Sequence, residues 1–263
     1  MRKVGRREGK FFTLSLRSRV LGLSSLLLLF LGAVWLFFRY VRYPVGLHLF
    51  CGMVCLLVFL VMTLFFFWTS APIRPFLMLG LSAETVAISV LVAVFLPWSF
   101  ASSKPELYSR HLAYLRTKHV SSTCLPTSLP KEVFEYELSY QAEQKNKPGF
   151  LIVEYRCAGK PISEYRKTAR IMSVLNAMSL DELSAPELDV KNREKIAELF
   201  GVKAEELGDY TIKLELPEDI DKHPDARVYI TSCSVDMEKP TTEAILIDVA
   251  NGWVCFIRMI STV

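Results

Sequence analysis

Three long apolar runs dominate the first hundred residues of the chain. They cover residues 20–38, 45–68 and 76–98. Each run is close to the ~20 residues that a helix needs to cross roughly 30 Å of hydrocarbon. A helix is the default structure there because it satisfies its own backbone hydrogen bonds in lipid. The pattern therefore predicts three transmembrane helices.

The apolar runs also divide the chain into parts. The averages of 51% hydrophobic and 22% charged residues are ordinary for a globular protein and hide this division. Charged residues are rare over residues 20–100 and frequent from Ser102 onward, where no long apolar run follows. We therefore predict a basic tail over residues 1–19, a membrane domain over 20–100 and a soluble domain over 105–263. The short connections, 39–44 and 69–75, favour an antiparallel, up-down-up bundle of the three helices.

The tail decides the predicted orientation in the membrane. It has one acid, Glu8, and these basic residues: Arg2, Lys3, Arg6, Arg7, Lys10, Arg17 and Arg19. Basic residues before a first span favour a cytoplasmic N-terminus and contact anionic lipid. No nucleic-acid-binding fold follows the tail, so we expect the lipid bilayer, not nucleic acid, as its partner. The sequence thus predicts a multi-pass protein of the cell (plasma or inner) membrane with its C-terminal domain outside the cytoplasm.

The soluble part alternates between patterns typical of strands and of helices. Apolar residues at every second position predict strands over 132–141, 150–157, 209–216 and 226–235. Repeats of three to four residues predict helices over 105–119, 161–179 and 190–200, the last closed by Gly201. After the first helix the order is two strands, two helices and four strands. Such segregation predicts an α+β fold with a mainly antiparallel sheet.

The last two strands give the clearest local pattern. Residues 244–250 and 253–260 flank Asn251-Gly252, the strongest two-residue hairpin signal. A two-residue turn there would place Val249 opposite Val254 and Ile247 opposite Phe256. Both faces of this hairpin are largely apolar. We therefore expect it in the centre of the sheet, with helices covering one side.

Glu84 is the only acid within a predicted span. It lies eight residues after Phe76, hence about 12 Å deep at ~1.5 Å per residue. A carboxyl group at that depth is costly and is a functional hint by default. One interpretation is a proton or ion relay. The other is a protonated side chain that joins helices by bonding to a hydroxyl group, with Thr63, Ser24 and Ser25 at similar depth.

Other candidate sites are weaker. His48, Cys51 and Cys55 share one helix face, which fits a metal or haem ligand set or ordinary buried packing. The soluble cysteines Cys124, Cys157, Cys233 and Cys255 include no Cys-x-x-Cys pair, and disulfides or buried thiols both remain open. A cysteine–histidine pair using His111, His119 or His223 has no specific support. Asp219, Asp221 and Asp225 have the spacing of calcium ligands, but Pro224 replaces the required glycine and Ile230 the final glutamate.

The sequence therefore gives three functional hypotheses. Glycine-rich phosphate loops, the zinc-protease helix motif and the Gly-x-Ser-x-Gly nucleophile motif are missing. We thus favour a non-catalytic interaction or assembly module, held at the membrane, that binds a partner protein without a cofactor or metal. The first alternative is a membrane-bound enzyme or ligand sensor with its site in the soluble domain. The second is a small transport or channel subunit that uses Glu84.

Overall fold

The computed structural model describes residues 16–68, 75–96, 98–144, 147–184, 190–200, 203, 205, 212, 214–233 and 241–260. The chain forms two compact units, one ending at Leu96 and the other beginning at Pro97. Most of the basic tail, residues 1–15, lies outside the described residues, and Leu16 to Arg19 already belong to the first helix.

The first unit contains three helices that are each long and apolar enough to cross a membrane. They are α1 (Leu16–Arg42), α2 (Gly46–Trp68) and α3 (Pro75–Phe95). Each helix contacts the other two. The packing uses small residues, because Gly22 lies directly against the ring of Phe66 and Gly32 against Val86. Close approach at glycine is how membrane helices gain van der Waals contact without a hydrophobic driving force.

The second unit is built on one antiparallel sheet. Its strands are β1 (Phe100–Ser102), β2 (Phe134–Gln141), β3 (Gly149–Arg156), β4 (Arg227–Cys233), β5 (Thr241–Asp248) and β6 (Trp253–Ile260). The six described strands follow the order β1-β2-β3-β6-β5-β4. Its helices are α4 (Tyr108–Thr117), α5 (Lys160–Met172), α6 (Leu180–Ser184) and α7 (Val190–Phe200). The predicted α+β class is confirmed, and the unit includes β1, which precedes residue 105.

Helices and loops cover both faces of the sheet. The first face carries Leu138, Val153 and Phe256, against which α4, α5 and the segment 120–133 pack. The second face carries Leu246, Cys255 and Ile257, against which α6, α7 and Leu175 to Met178 pack. The expectation of cover on one side was therefore wrong. The central strands are apolar on both faces. Leaving either face in contact with water would cost free energy, so a layer of helices and loops covers each one.

Two predicted elements differ from the structure. Helix α5 ends at Met172 instead of residue 179, because Val174 and Met178 hydrogen-bond along the outer edge of β4. The strand expected over 209–216 is absent among the described residues of that range, and residues 209–211 and 213 lie outside them. Ile212 instead packs into the core on the second face. Helix α7 has the predicted bounds, and its proposed cap, Gly201, lies outside the described residues.

The final hairpin forms with a shifted register. Asp248 pairs with Trp253, and Ile247 faces Val254 instead of Phe256. The loop thus has four residues, not two, because the Asp248 carboxylate accepts hydrogen bonds from the backbone and side-chain amides of Asn251. Val249, expected opposite Val254, lies in the loop instead. Side chains alternate with a period of two, so a shift of two leaves the residues that remain in β5 and β6 on their predicted faces. The central place of the hairpin in the sheet is confirmed.

Candidate functional site

Glu84 lies on the exposed surface of α3. Two of the three hydroxyl groups considered as its partners bond elsewhere, since Thr63 donates to the carbonyl of Phe59 and Ser25 to that of Leu21. Neither hydroxyl group donates to the Glu84 carboxyl group. Within the described part of the chain, Glu84 makes no hydrogen bond or ion pair.

The other ligand candidates from the sequence do not assemble into a metal site in the described residues. No group of three histidine, cysteine or acidic side chains there has the geometry to hold a metal ion. Both Cys51 and Cys55 are buried in the helix bundle, and Nδ1 of His48 lies 3.2 Å from the carbonyl of Tyr43. In the acidic turn, Asp219 accepts a hydrogen bond of 2.6 Å from the Lys222 ammonium.

Three of the soluble cysteines are buried thiols, and Cys233 is half-buried. Burial raises the pKa of Cys124 to about 12 and raises the pKa of Cys157 and Cys255 as well. Only the thiolate is an effective nucleophile, so burial disfavours nucleophilic reactions of these three side chains.

A buried polar cluster, which the sequence analysis missed, lies on the second face of the sheet. Nδ1 of His223 is 3.0 Å from a carboxylate oxygen of Asp248, and both side chains are almost fully buried. The His223 ring stacks on the indole of Trp253, with ring centroids 4.2 Å apart and planes 10° from parallel. The indole N–H in turn donates to Glu154 over 3.1 Å. We call these four residues the His223 cluster.

The pKa values of the two carboxyl groups in this cluster shift in opposite directions. Burial raises the pKa of Asp248, but hydrogen bonds from Asn251 and His223 outweigh it and hold the pKa below the ordinary value. Burial also raises the pKa of Glu154, to about 6, and the nearby Glu137 adds to that rise while the Trp253 indole N–H opposes it. Asp248 is therefore stabilised as a carboxylate, and Glu154 is poised to take up a proton in mild acid.

We expect Glu154→Gln to stabilise the soluble fragment 97–263 at pH 7.5. The folded pKa of Glu154 is above the ordinary value of 4.5, so its stabilising contribution is full below about pH 4.5 and lost as pH rises through about 6. Glutamine removes the charge, and its amide oxygen can still accept the hydrogen bond from the indole N–H of Trp253. Glu154 is partly solvated, so we expect a gain of no more than about 1 kcal/mol. Urea unfolding of both fragments at pH 4.5, 6 and 7.5 measures this difference in the free energy of unfolding.

The matched control for this measurement is Glu164→Gln on α5. Glu164 has 62% of its side chain exposed, so its replacement should leave the pH dependence unchanged. A Glu154→Gln fragment that still loses stability between pH 4.5 and 6 would show that another group causes the effect.

The cluster also shapes one wall of a groove on the soluble unit. By accepting hydrogen bonds from Asn251, Asp248 fixes the loop from Val249 to Gly252, which forms that wall. Phe134, Glu135 and the start of α5 also line the groove, which has a volume of about 540 Å³. We call it the hairpin groove. Its lining residues are Phe134, Glu135, Arg156, Cys157, Ala158, Gly159, Ile162, Val249, Ala250, Asn251 and Gly252.

Unusual backbone conformations concentrate around the hairpin groove. Four described residues have a positive φ, and Glu135, Gly159 and Gly252 are three of them. The positive φ of Glu135 falls where β2 slips in register against β3, and this bulge turns Phe134 away from the core. Two residues later Tyr136 is buried, whereas Phe134 has 58% of its surface exposed. A positive φ is unstrained at glycine, so of these three residues only Glu135 is in a costly conformation. Costly backbone conformations of this kind cluster at functional sites.

Comparison with known proteins does not assign the chain to a family. No family model, curated protein or solved structure matches the chain.

A local signal for the cluster is present in the sequence. Asp248 is an acid near the end of an otherwise apolar strand, and a buried acid requires a partner. Its partner, His223, is 25 residues away, next to Pro224 in a turn rich in charged residues. The signal thus indicates that a partner exists but not which residue it is.

Proposed function

We propose that this chain is a membrane-anchored protein whose soluble domain is a non-catalytic interaction module that docks a partner protein in the hairpin groove. The observation that carries the proposal is the exposure of apolar side chains. Beyond residue 99, the large apolar side chains exposed in the described part are Phe134, Ile171, Leu199 and Val249. Phe134 and Val249 line the same groove, with 58% and 45% of their surfaces exposed.

The lining of the groove indicates the chemistry of the partner. Its two charged residues form an ion pair, with Nε of Arg156 3.0 Å from a carboxylate oxygen of Glu135. The charge of the lining is therefore balanced, which suits an apolar protein segment better than a polyanion. Apolar anchors beside paired polar groups are the usual composition of a protein interface. Burial raises the pKa of Cys157, the thiol that lines the groove, which disfavours a nucleophilic role for that side chain.

We extend the proposal to the membrane and to orientation. Helices α1, α2 and α3 supply three spans of a cell-membrane protein, with the basic tail in the cytoplasm and the soluble domain outside. The basic residues before α1 support this orientation. A protease added to intact cells, or to spheroplasts if there is an outer membrane, should then degrade the chain beyond about Pro97. Full protection until lysis would reverse the orientation.

The docking proposal is tested by photocrosslinking in native membranes. A benzophenone amino acid at Val249 should give one dominant protein adduct, whereas the same group at Leu199, on α7, should not. Phe134→Ser should lower the yield of that adduct about tenfold, equivalent to ~1.4 kcal/mol of binding. Ile171→Ser is the matched control, because Ile171 is 75% exposed on α5 outside the groove lining.

Two results would count against docking at the groove. Equal adducts from Val249 and Leu199 would indicate nonspecific contact. A reproducible lack of any protein adduct, together with a co-purifying metabolite, would favour the enzyme or sensor hypothesis.

A further inference from the structure

Helix α3 has one face covered by the bundle and one face uncovered. Its buried residues are Met78, Ser82, Ser89 and Ala93, and Val86 packs against Gly32 of α1. The exposed residues on the other side, which we call the α3 outer face, include Gly80, Ala83, Glu84, Ala87, Ile88 and Leu91.

Glu84 is in the middle of this face. It is about 12 Å from Phe76 along the helix axis, at ~1.5 Å per residue, which is too far for its short side chain to reach the headgroup region. A carboxyl group exposed to hydrocarbon at that depth is costly, and such groups face a partner or a water-filled cavity. The described residues of the chain provide neither a hydrogen bond nor an ion pair for it.

We infer that a second copy of this chain packs along the α3 outer face and that the Glu84 side chains of the two copies bond to each other. A protonated carboxyl group donates and accepts at once, so the same residue on both copies satisfies both groups. A twofold interface brings identical surfaces together. A different partner would need its own intramembrane polar group at the same depth, whereas a second copy contains that group by definition.

The residues around Glu84 permit the close approach that such a bond requires. A Cβ atom added to Gly80 would have no atom within 4 Å, and Ala83 and Ala87 are the next small residues along the face. Small residues beside a polar one are the usual arrangement at helix contacts in membranes. The inference rests on the proposed membrane span of α3 and is independent of the hairpin groove.

The test uses two differently tagged full-length copies expressed together in native membranes. A benzophenone amino acid at Ile88 should crosslink the two tags, and the same group at Leu57 should not. Leu57 is the matched control because it is 63% exposed on α2. Lipid adducts at Leu57 would verify insertion of the bundle separately, so a failure of the dimer is distinguishable from a failure of the membrane assignment.

Variants then separate the carboxyl group from general packing. Glu84→Leu should lower the yield of the two-tag adduct about tenfold, and Glu84→Gln should keep it within about threefold, because an amide also donates and accepts. Gly80→Leu should lower it as strongly by blocking close approach, while the open space at Gly80 leaves the bundle intact. Undiminished dimer in Glu84→Leu, or an adduct at Ile88 to a different protein alone, would overturn the inference.

Discussion

Replacing Gly252 with valine is expected to destabilise the soluble domain by about 3–5 kcal/mol, a large part of the ~5–15 kcal/mol that holds a domain folded. Two effects combine. Gly252 has a φ of 63°, a conformation that costs a residue with a Cβ about 1–3 kcal/mol and a β-branched residue most. A Cβ at this position would also lie 2.6 Å from the carbonyl oxygen of Cys157.

That carbonyl oxygen has little freedom to move. The backbone N–H of Cys157 donates to the carbonyl of Gly252 over 2.8 Å, so the two segments are fixed against each other at the end of β3 and the start of β6. Relief of the contact would therefore require disrupting the sheet next to the hairpin groove.

The measurement is urea unfolding of fragment 97–263, followed by tryptophan fluorescence. The matched control is Ala250→Val in the same loop, where the residue is exposed and has no positive φ. The control should change the free energy of unfolding by less than about 0.5 kcal/mol. Equal, small effects of both substitutions would show that the loop conformation at Gly252 is not required.

The sequence predicted the elements whose causes are local. The three long apolar runs fixed α1 to α3 within a few residues because only the length and composition of each run matter. The alternation around Val254 and Phe256 fixed which side chains share a face, because a period of two is insensitive to the turn. The α+β class followed from the order of these patterns.

The sequence did not predict features that depend on distant partners. Helix α5 ends seven residues before its predicted end because Val174 and Met178 hydrogen-bond to the edge of β4. No local sequence pattern indicates that contact. The depth of Glu84 followed from counting, but its outward direction depended on which faces of α3 meet α1. The conformation of the hairpin loop depends on hydrogen bonds to Asp248. The sequence shows that Asp248 is an unusual residue for an apolar strand, but not that its partner is His223.

Asp248→Ala is the second substitution from which we expect a large effect, a loss of about 3 kcal/mol of stability. It removes the acceptor for His223 and for both amide groups of Asn251. Leaving buried donors without a partner costs about 1–3 kcal/mol for each group, and Asp248→Ala leaves His223 and Asn251 without theirs. The loop from Val249 to Gly252 also loses its anchor, so partner adducts from Val249 should decrease.

Asp248→Asn separates charge from shape in the same cluster. Asparagine has the same size and keeps one acceptor oxygen, so we expect a loss of only about 1–2 kcal/mol at neutral pH.

The pH dependence distinguishes these variants further. The folded pKa of Asp248 is below its ordinary value, so its contribution is present above the unfolded pKa of about 3.9 and is lost as pH falls through the folded pKa. The unsubstituted fragment should therefore lose stability below about pH 4, and Asp248→Asn should reduce that loss. An Asp248→Asn fragment with the same decrease in acid would assign the effect to other carboxylates. It would leave His223 held by hydrogen bonding and by its stacking on Trp253, without a contribution from the charge of Asp248.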